Sequence, residues 1–94
     1  MRAARVDGNQ REIVQALREA GATVQHLHTV GKGCPDVLVG YRGANLLLEL
    51  KDGSLPPSRQ KLTADEEYWH TVWRGQVEIA RSVEDALRII GISE

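Results

Sequence analysis

Residues 36–51 hold two β-rich runs on either side of a short turn, and this hairpin limits the possible folds more than any other stretch. Asp36–Tyr41 and Asn45–Lys51 flank Arg42-Gly43-Ala44, and alternating runs around a glycine-containing turn are the pattern of a β-hairpin. Successive side chains on a strand leave opposite faces. Val37, Val39 and Tyr41 therefore share one face of the first run, and Leu46, Leu48 and Leu50 share one face of the second. A sheet with one such apolar face needs helices to cover it.

The flanking sequence supplies them. Asp7-Gly8-Asn9-Gln10 offers overlapping helix starts after a loose end over residues 1–6, with Asp7 and Gln10, or Asn9 and Glu12, at capping-box spacing. Ile13, Val14, Leu17 and Ala20 follow at helical spacing up to Gly21. Thr23–His28 reads as a short strand, and Val30-Gly31-Lys32-Gly33-Cys34-Pro35 as a flexible loop. After the hairpin, Asp52–Pro57 is a loop. Thr63-Ala64-Asp65-Glu66 then forms a capping box, opening a helix whose Trp69, Val72 and Trp73 make an apolar stripe expected in the core. Gln76–Ala80 is a further strand, and Ser82 caps a last helix through Val83, Leu87 and Ile90. The order is α-β-β-β-α-β-α. An α/β fold with a small mixed sheet flanked by helices is its natural packing.

Ninety-four residues suit one domain, with a core from about residue 9 to residue 91. So small a core makes an oligomer a reasonable expectation. No apolar run approaches the length of a membrane span, and the start carries no signal-peptide pattern. The single cysteine, Cys34, excludes an internal disulfide and fits a reducing, intracellular setting. The net charge of −1 advertises no nucleic-acid partner. Its distribution is more informative: +1 over residues 1–28, +2 over residues 29–62 and −4 over residues 63–94. The middle third is the plausible phosphate-facing stretch.

Chemistry concentrates on the hairpin. Glu49 and Lys51 leave the same strand face, opposite Leu46, Leu48 and Leu50. A two-residue turn at Arg42-Gly43 sets Asp36 opposite Glu49, and one at Gly43-Ala44 sets it opposite Lys51. Either register puts Asp36 on the face of both, whereas a three-residue bulged loop would blur the alignment. Two converging carboxylates repel, and a hard divalent cation with oxygen ligands relieves the repulsion. Mg²⁺ or Mn²⁺ there can activate water and neutralise a phosphoryl group, and Lys51 can orient the nucleophile or stabilise developing charge.

Pro35-Asp36, a twelve-residue gap and Glu49-Leu50-Lys51 make up the PD-(D/E)xK nuclease signature. With this element order the chain resembles the VRR-NUC (virus-type replication-repair nuclease) family in its short, stand-alone, phage-like form. The resemblance runs from about Asn9 to Gly91. It takes in Arg11-Glu12, Gly33-Cys34-Pro35-Asp36, Glu49-Leu50-Lys51, Trp73-Arg74-Gly75-Gln76-Val77 and Arg81-Ser82-Val83-Glu84-Asp85-Ala86-Leu87. It implies a restriction-endonuclease-like core. Asp36, Glu49 and the Leu50 main-chain carbonyl would be metal ligands, Lys51 the catalytic lysine, and Glu12 a further acid. It also implies a DNA endonuclease that forms dimers and acts on branched substrates such as four-way junctions or flaps in repair and recombination. One departure stands out. The family commonly has Gln where Leu62-Thr63-Ala64-Asp65-Glu66-Glu67-Tyr68-Trp69 carries Glu66, and Thr63 already gives Glu66 a capping role.

Other readings compete. A catalytically silent nucleic-acid-binding subunit would keep the fold, although it has no physical need for two clustered acids. Asp36 alone could be a turn residue, Glu49 and Lys51 a salt-bridged edge, and Glu12 a capping glutamate. His26 and His28 with Cys34 or His70 would offer zinc donors, but they lack the paired spacing of a structural site. Lys32, Arg59 and Lys61 are candidate phosphate contacts around the active-site strand.

Overall fold

The structure is a computed structural model that describes residues 8–92. The loose end over residues 1–6 and the Asp7 cap lie outside the described residues. The elements are α1 (Gln10–Glu19), β1 (Thr23–His26), β2 (Val37–Tyr41), β3 (Ala44–Leu50), a 3₁₀ turn (Pro57–Arg59), α2 (Ala64–Val72), β4 (Val77–Ala80) and α3 (Val83–Ile89). The sheet order is β1-β2-β3-β4. The first three strands are antiparallel and β4 runs parallel to β3, so the sheet is mixed.

The β2–β3 register runs from Val37 opposite Leu48 to Tyr41 opposite Ala44, which leaves Arg42-Gly43 as the turn. Both residues have positive φ, 51° and 81°, a backbone whose twist matches that of the strands it joins. Continued by one residue, the register sets Asp36 opposite Glu49. This is the first of the two alignments open to the sequence.

The apolar face carries the core. Ile13, Val14 and Leu17 of α1 and Ala86 of α3 pack on Val37, Val39, Leu46, Leu48, Leu50 and Ala80, with Tyr41, Val83, Leu87 and Ile90 around them. Each fully buried large aliphatic side chain contributes about 1.5–3 kcal/mol, so this face dominates stability. The opposite face of β3 presents Leu47, Glu49 and Lys51, and α2 lies across it.

Four expectations are corrected in detail. Asn9 is the N-cap of α1, but its side chain makes no capping bond. Its Nδ2 instead donates to the carbonyls of Lys51 and Arg81, both at 3.2 Å, tying the helix start to the ends of β3 and β4. The strand expected over Thr23–His28 ends at His26, because the Leu27 carbonyl accepts the Val30 N–H at 3.1 Å and the chain turns over residues 27–30. The glycine loop is not loose at Gly33, where a Cβ would collide with the Asp65 carbonyl.

The fourth concerns α2, which buries none of its residues, so its tryptophans are not core. Glu66 and His70, one helical turn apart, form the stripe turned toward the sheet. Tyr68 and Val72 therefore point outward, at 70% and 47% exposure. Trp73 is 46% exposed where the chain leaves the helix, and it stacks on Trp69 at 4.5 Å. Among the described residues no helix is long and apolar enough to cross a membrane.

Candidate active site

Three elements bring the hairpin acids together. Pro35 is buried and anchors the entry to β2, so Asp36 sits just before the strand, level with the end of β3. The Leu50 N–H donates to Asp36 Oδ2 at 2.7 Å, which fixes the carboxylate against β3. A residue's N–H and C=O leave the same edge of a strand, so the Leu50 carbonyl faces that side too. Glu49 and Lys51 project from the face covered by α2.

Glu49 is the unusual member, a carboxyl group only 2% exposed. Its Oε2 lies 4.0 Å from Lys51 Nζ and its Oε1 3.6 Å from His70 Nε2. Neither Oε1 nor His70 Nε2 has a hydrogen-bond partner, and burying a charge without one is strongly unfavourable. Burial, then the charges of Asp36 and Glu66 and a hydrogen bond with Asp36, push the Glu49 pKa up to about 9; Lys51 opposes the rise. Burial and the charges of Glu49 and Asp36 also raise the Cys34 thiol, which places this loop residue in the field of the same acids.

Glu66 joins the site from α2. Its Oε1 accepts from Lys51 Nζ at 3.0 Å and from the Thr63 N–H at 2.9 Å. Thr63 Oγ1 in turn accepts the Glu66 N–H. The expected capping box is therefore present, and its glutamate also holds the lysine. Burial would raise the Glu66 pKa, but the Thr63 N–H and the Lys51 bond and charge outweigh it and leave the group low. Burial lowers the His70 pKa, with Glu66 opposing. A cleft of about 220 Å³ opens on Asp36 and Glu66, walled by Gly31, Gly33, Cys34 and Thr63. That is room for several waters at about 30 Å³ each.

Asp36, Glu49, Lys51 and Glu66 thus converge, while Glu12 stands apart. It is exposed on the first turn of α1 and lines a different cleft, beside Asp52, Arg81 and Glu84. Lys32, Arg59 and Lys61 are exposed around the loops. His26 and His28 stack on each other at 4.9 Å, whereas His70 faces Glu49. The sequence offered His70 only as a zinc donor; its spacing of four from Glu66 was the usable signal.

A solved structure described as a VRR_NUC domain superposes with a TM-score of 0.64 at 23% identity, covering 90% of this chain and 92% of that one. The chain has the VRR_NUC fold. No family model matches it, and no curated protein matches it significantly. Within the VRR_NUC fold, the residues that converge belong to the loop before β2, the end of β3 and the sheet-facing side of α2.

Proposed function

We propose that the chain is a metal-dependent nuclease of the VRR-NUC family that hydrolyses DNA phosphodiester bonds through Asp36, Glu49 and Lys51. The observation that carries this reading is the buried Glu49 carboxyl beside Asp36, with one oxygen left unpartnered. Among the described residues no three His, Cys, Asp or Glu side chains are grouped to enclose a metal ion. Two carboxylates and a main-chain carbonyl nevertheless fit Mg²⁺ or Mn²⁺, because a small hard cation keeps several of its waters and takes few protein ligands. Asp36, Glu49 and the Leu50 carbonyl would hold it. The ion would neutralise phosphoryl charge and acidify a water molecule.

The chain's own residues do the rest. The Leu50 N–H holds the Asp36 carboxylate in its orientation. Lys51, kept in place by Glu66, presents an ammonium where negative charge develops during phosphoryl transfer. Lys32, Arg59 and Lys61 contact backbone phosphates and set the strand in register. Endonucleolytic action on branched DNA by a homodimer is the form of this activity that the family resemblance favours.

The test is a cleavage assay on branched, flapped, single- and double-stranded DNA with Mg²⁺, Mn²⁺ or EDTA. Cleavage that needs the cation and disappears in Asp36→Ala and Glu49→Ala is the expected result. Lys51→Ala should cut turnover by roughly 10²-fold, the scale of a lost electrostatic stabiliser, and Lys51→Arg should not restore it. Full Mn²⁺-dependent activity in either carboxylate variant would overturn the assignment. Salt-sensitive DNA binding with no cleavage under any condition would favour a silent binding subunit.

A further inference from the structure

His70 comes from the last turn of α2 and reaches across the polar face of β3 to the one Glu49 oxygen that Lys51 does not face. Its Nε2 lies 3.6 Å from Glu49 Oε1, just beyond hydrogen-bond length. Both atoms are buried and neither has another partner. Two unsatisfied polar atoms facing each other in a closed space are each other's only ready solution, since either left alone carries its full desolvation penalty. A glutamate has three rotatable side-chain bonds, and although Asp36 and Glu66 bond the Glu49 carboxyl, its Oε1 is left without a partner. His70 is the residue that faces that oxygen.

We propose that His70 is a positioning residue, whose imidazole Nε2–H donates to Glu49 Oε1 and locks the carboxylate in its cation-binding orientation. The proposal rests on the metal-dependent reading above. It assigns α2 two tasks one helical turn apart, with Glu66 holding Lys51 and His70 holding Glu49. Partners that orient a metal-binding carboxylate typically carry 10–100-fold in metal affinity, so the role is visible without DNA.

The experiment is calorimetric titration of Mn²⁺ into the DNA-free protein, with unfolding in EDTA as a control for folding. Wild type should bind, and Glu49→Ala should not. His70→Ala should bind roughly 10-fold or more weakly. His70→Gln, which keeps a side-chain N–H donor, should recover most of the loss, while His70→Leu, similar in bulk but without a donor, should not. Unchanged affinity in His70→Ala, or equal loss in His70→Ala and His70→Gln, overturns the positioning role while the metal site stands. If wild type binds no Mn²⁺, or Glu49→Ala binds as tightly as wild type, the metal reading fails and this proposal falls with it.

Discussion

Lys51 Nζ lies 3.0 Å from Glu66 Oε1, the same oxygen that accepts the Thr63 N–H at 2.9 Å. One side chain therefore both closes the capping box of α2 and holds the candidate catalytic lysine. Glu66→Gln keeps an acceptor for both partners and a capping-box residue, so stability and turnover should stay near wild type. Glu66→Ala removes both contacts. It should destabilise the fold by about 1 kcal/mol, the usual scale of a lost cap, and slow turnover by about 10-fold, equivalent to 1.4 kcal/mol of transition-state stabilisation. Urea unfolding and single-turnover cleavage separate the two effects.

A second prediction concerns pH. The Glu49 pKa is raised from 4.5 to about 9, first by burial and then by the charges of Asp36 and Glu66. Between these values the folded protein holds a proton that the unfolded chain has released. Stability of the cation-free protein should therefore be highest below about pH 4.5 as far as this group is concerned, and fall as pH rises towards 9. Glu49→Gln should flatten that slope. Saturating Mn²⁺ should reverse it, because the cation favours the ionised form. Urea midpoints in EDTA and in Mn²⁺ across pH 5 to 9 measure this; a slope unchanged in Glu49→Gln would locate the effect elsewhere.

Particular residues show how far the sequence could be read. The alternating runs at residues 36–51 were enough to define the hairpin and the shared face of Asp36, Glu49 and Lys51. The turn was not decidable, because it places Arg42 at φ 51°, a conformation that non-glycine residues seldom adopt. Asn9 shows tertiary structure overriding a local signal: its amide is spent on two strand-end carbonyls instead of a helix cap. Helical periodicity likewise displays the faces of α2 but not which face meets the sheet. That depends on Glu66 and His70 finding Lys51 and Glu49, 15 and 21 residues away in sequence, so of the tryptophans expected in the core, Trp69 is only half-buried and Trp73 is exposed. The exposed position of Glu12 beside Asp52, Arg81 and Glu84 was not legible for the same reason, since only the packed angle of α1 decides what its first turn reaches.

Gly33 and Gly31 make a matched pair. Gly33 has φ +81°, and a Cβ there would strike the backbone of Asp65 and Glu66, while Gly31 has φ +78° and open space around it. Gly31→Ala should carry only the left-handed backbone penalty, about 1–2 kcal/mol. Gly33→Ala adds a backbone collision that cannot relax by moving a side chain. It should be clearly more destabilising and should also reduce cleavage, because the loop it displaces carries Cys34, Pro35 and Asp36. Unfolding midpoints and turnover of the two variants, measured together, check the contrast.

The final prediction is that the working unit is a homodimer joined through the outward side of α2. Tyr68 and Val72 lie one turn apart on that side, and Trp73 follows at its end, with exposures of 70%, 47% and 46%. The helix buries none of its own residues, so its aromatic content adds little to the core beneath α1 and α3. Covering such a surface with a second copy removes apolar area from water at roughly 25 cal/mol per Å², and a two-fold axis would place the same patch on both subunits. Two cleavage sites at a fixed separation would also suit paired cuts across a branched substrate. Light scattering at tens of micromolar should therefore give twice the chain mass, and Val72→Glu should give the monomer with its fold and cation affinity intact. The substitution introduces a charge into the patch without touching Glu66 or His70. A monomer mass for the wild-type protein at that concentration would defeat the idea. A dimer that survives Val72→Glu would move the interface to another face, with the exposed edge of β4 the next to examine.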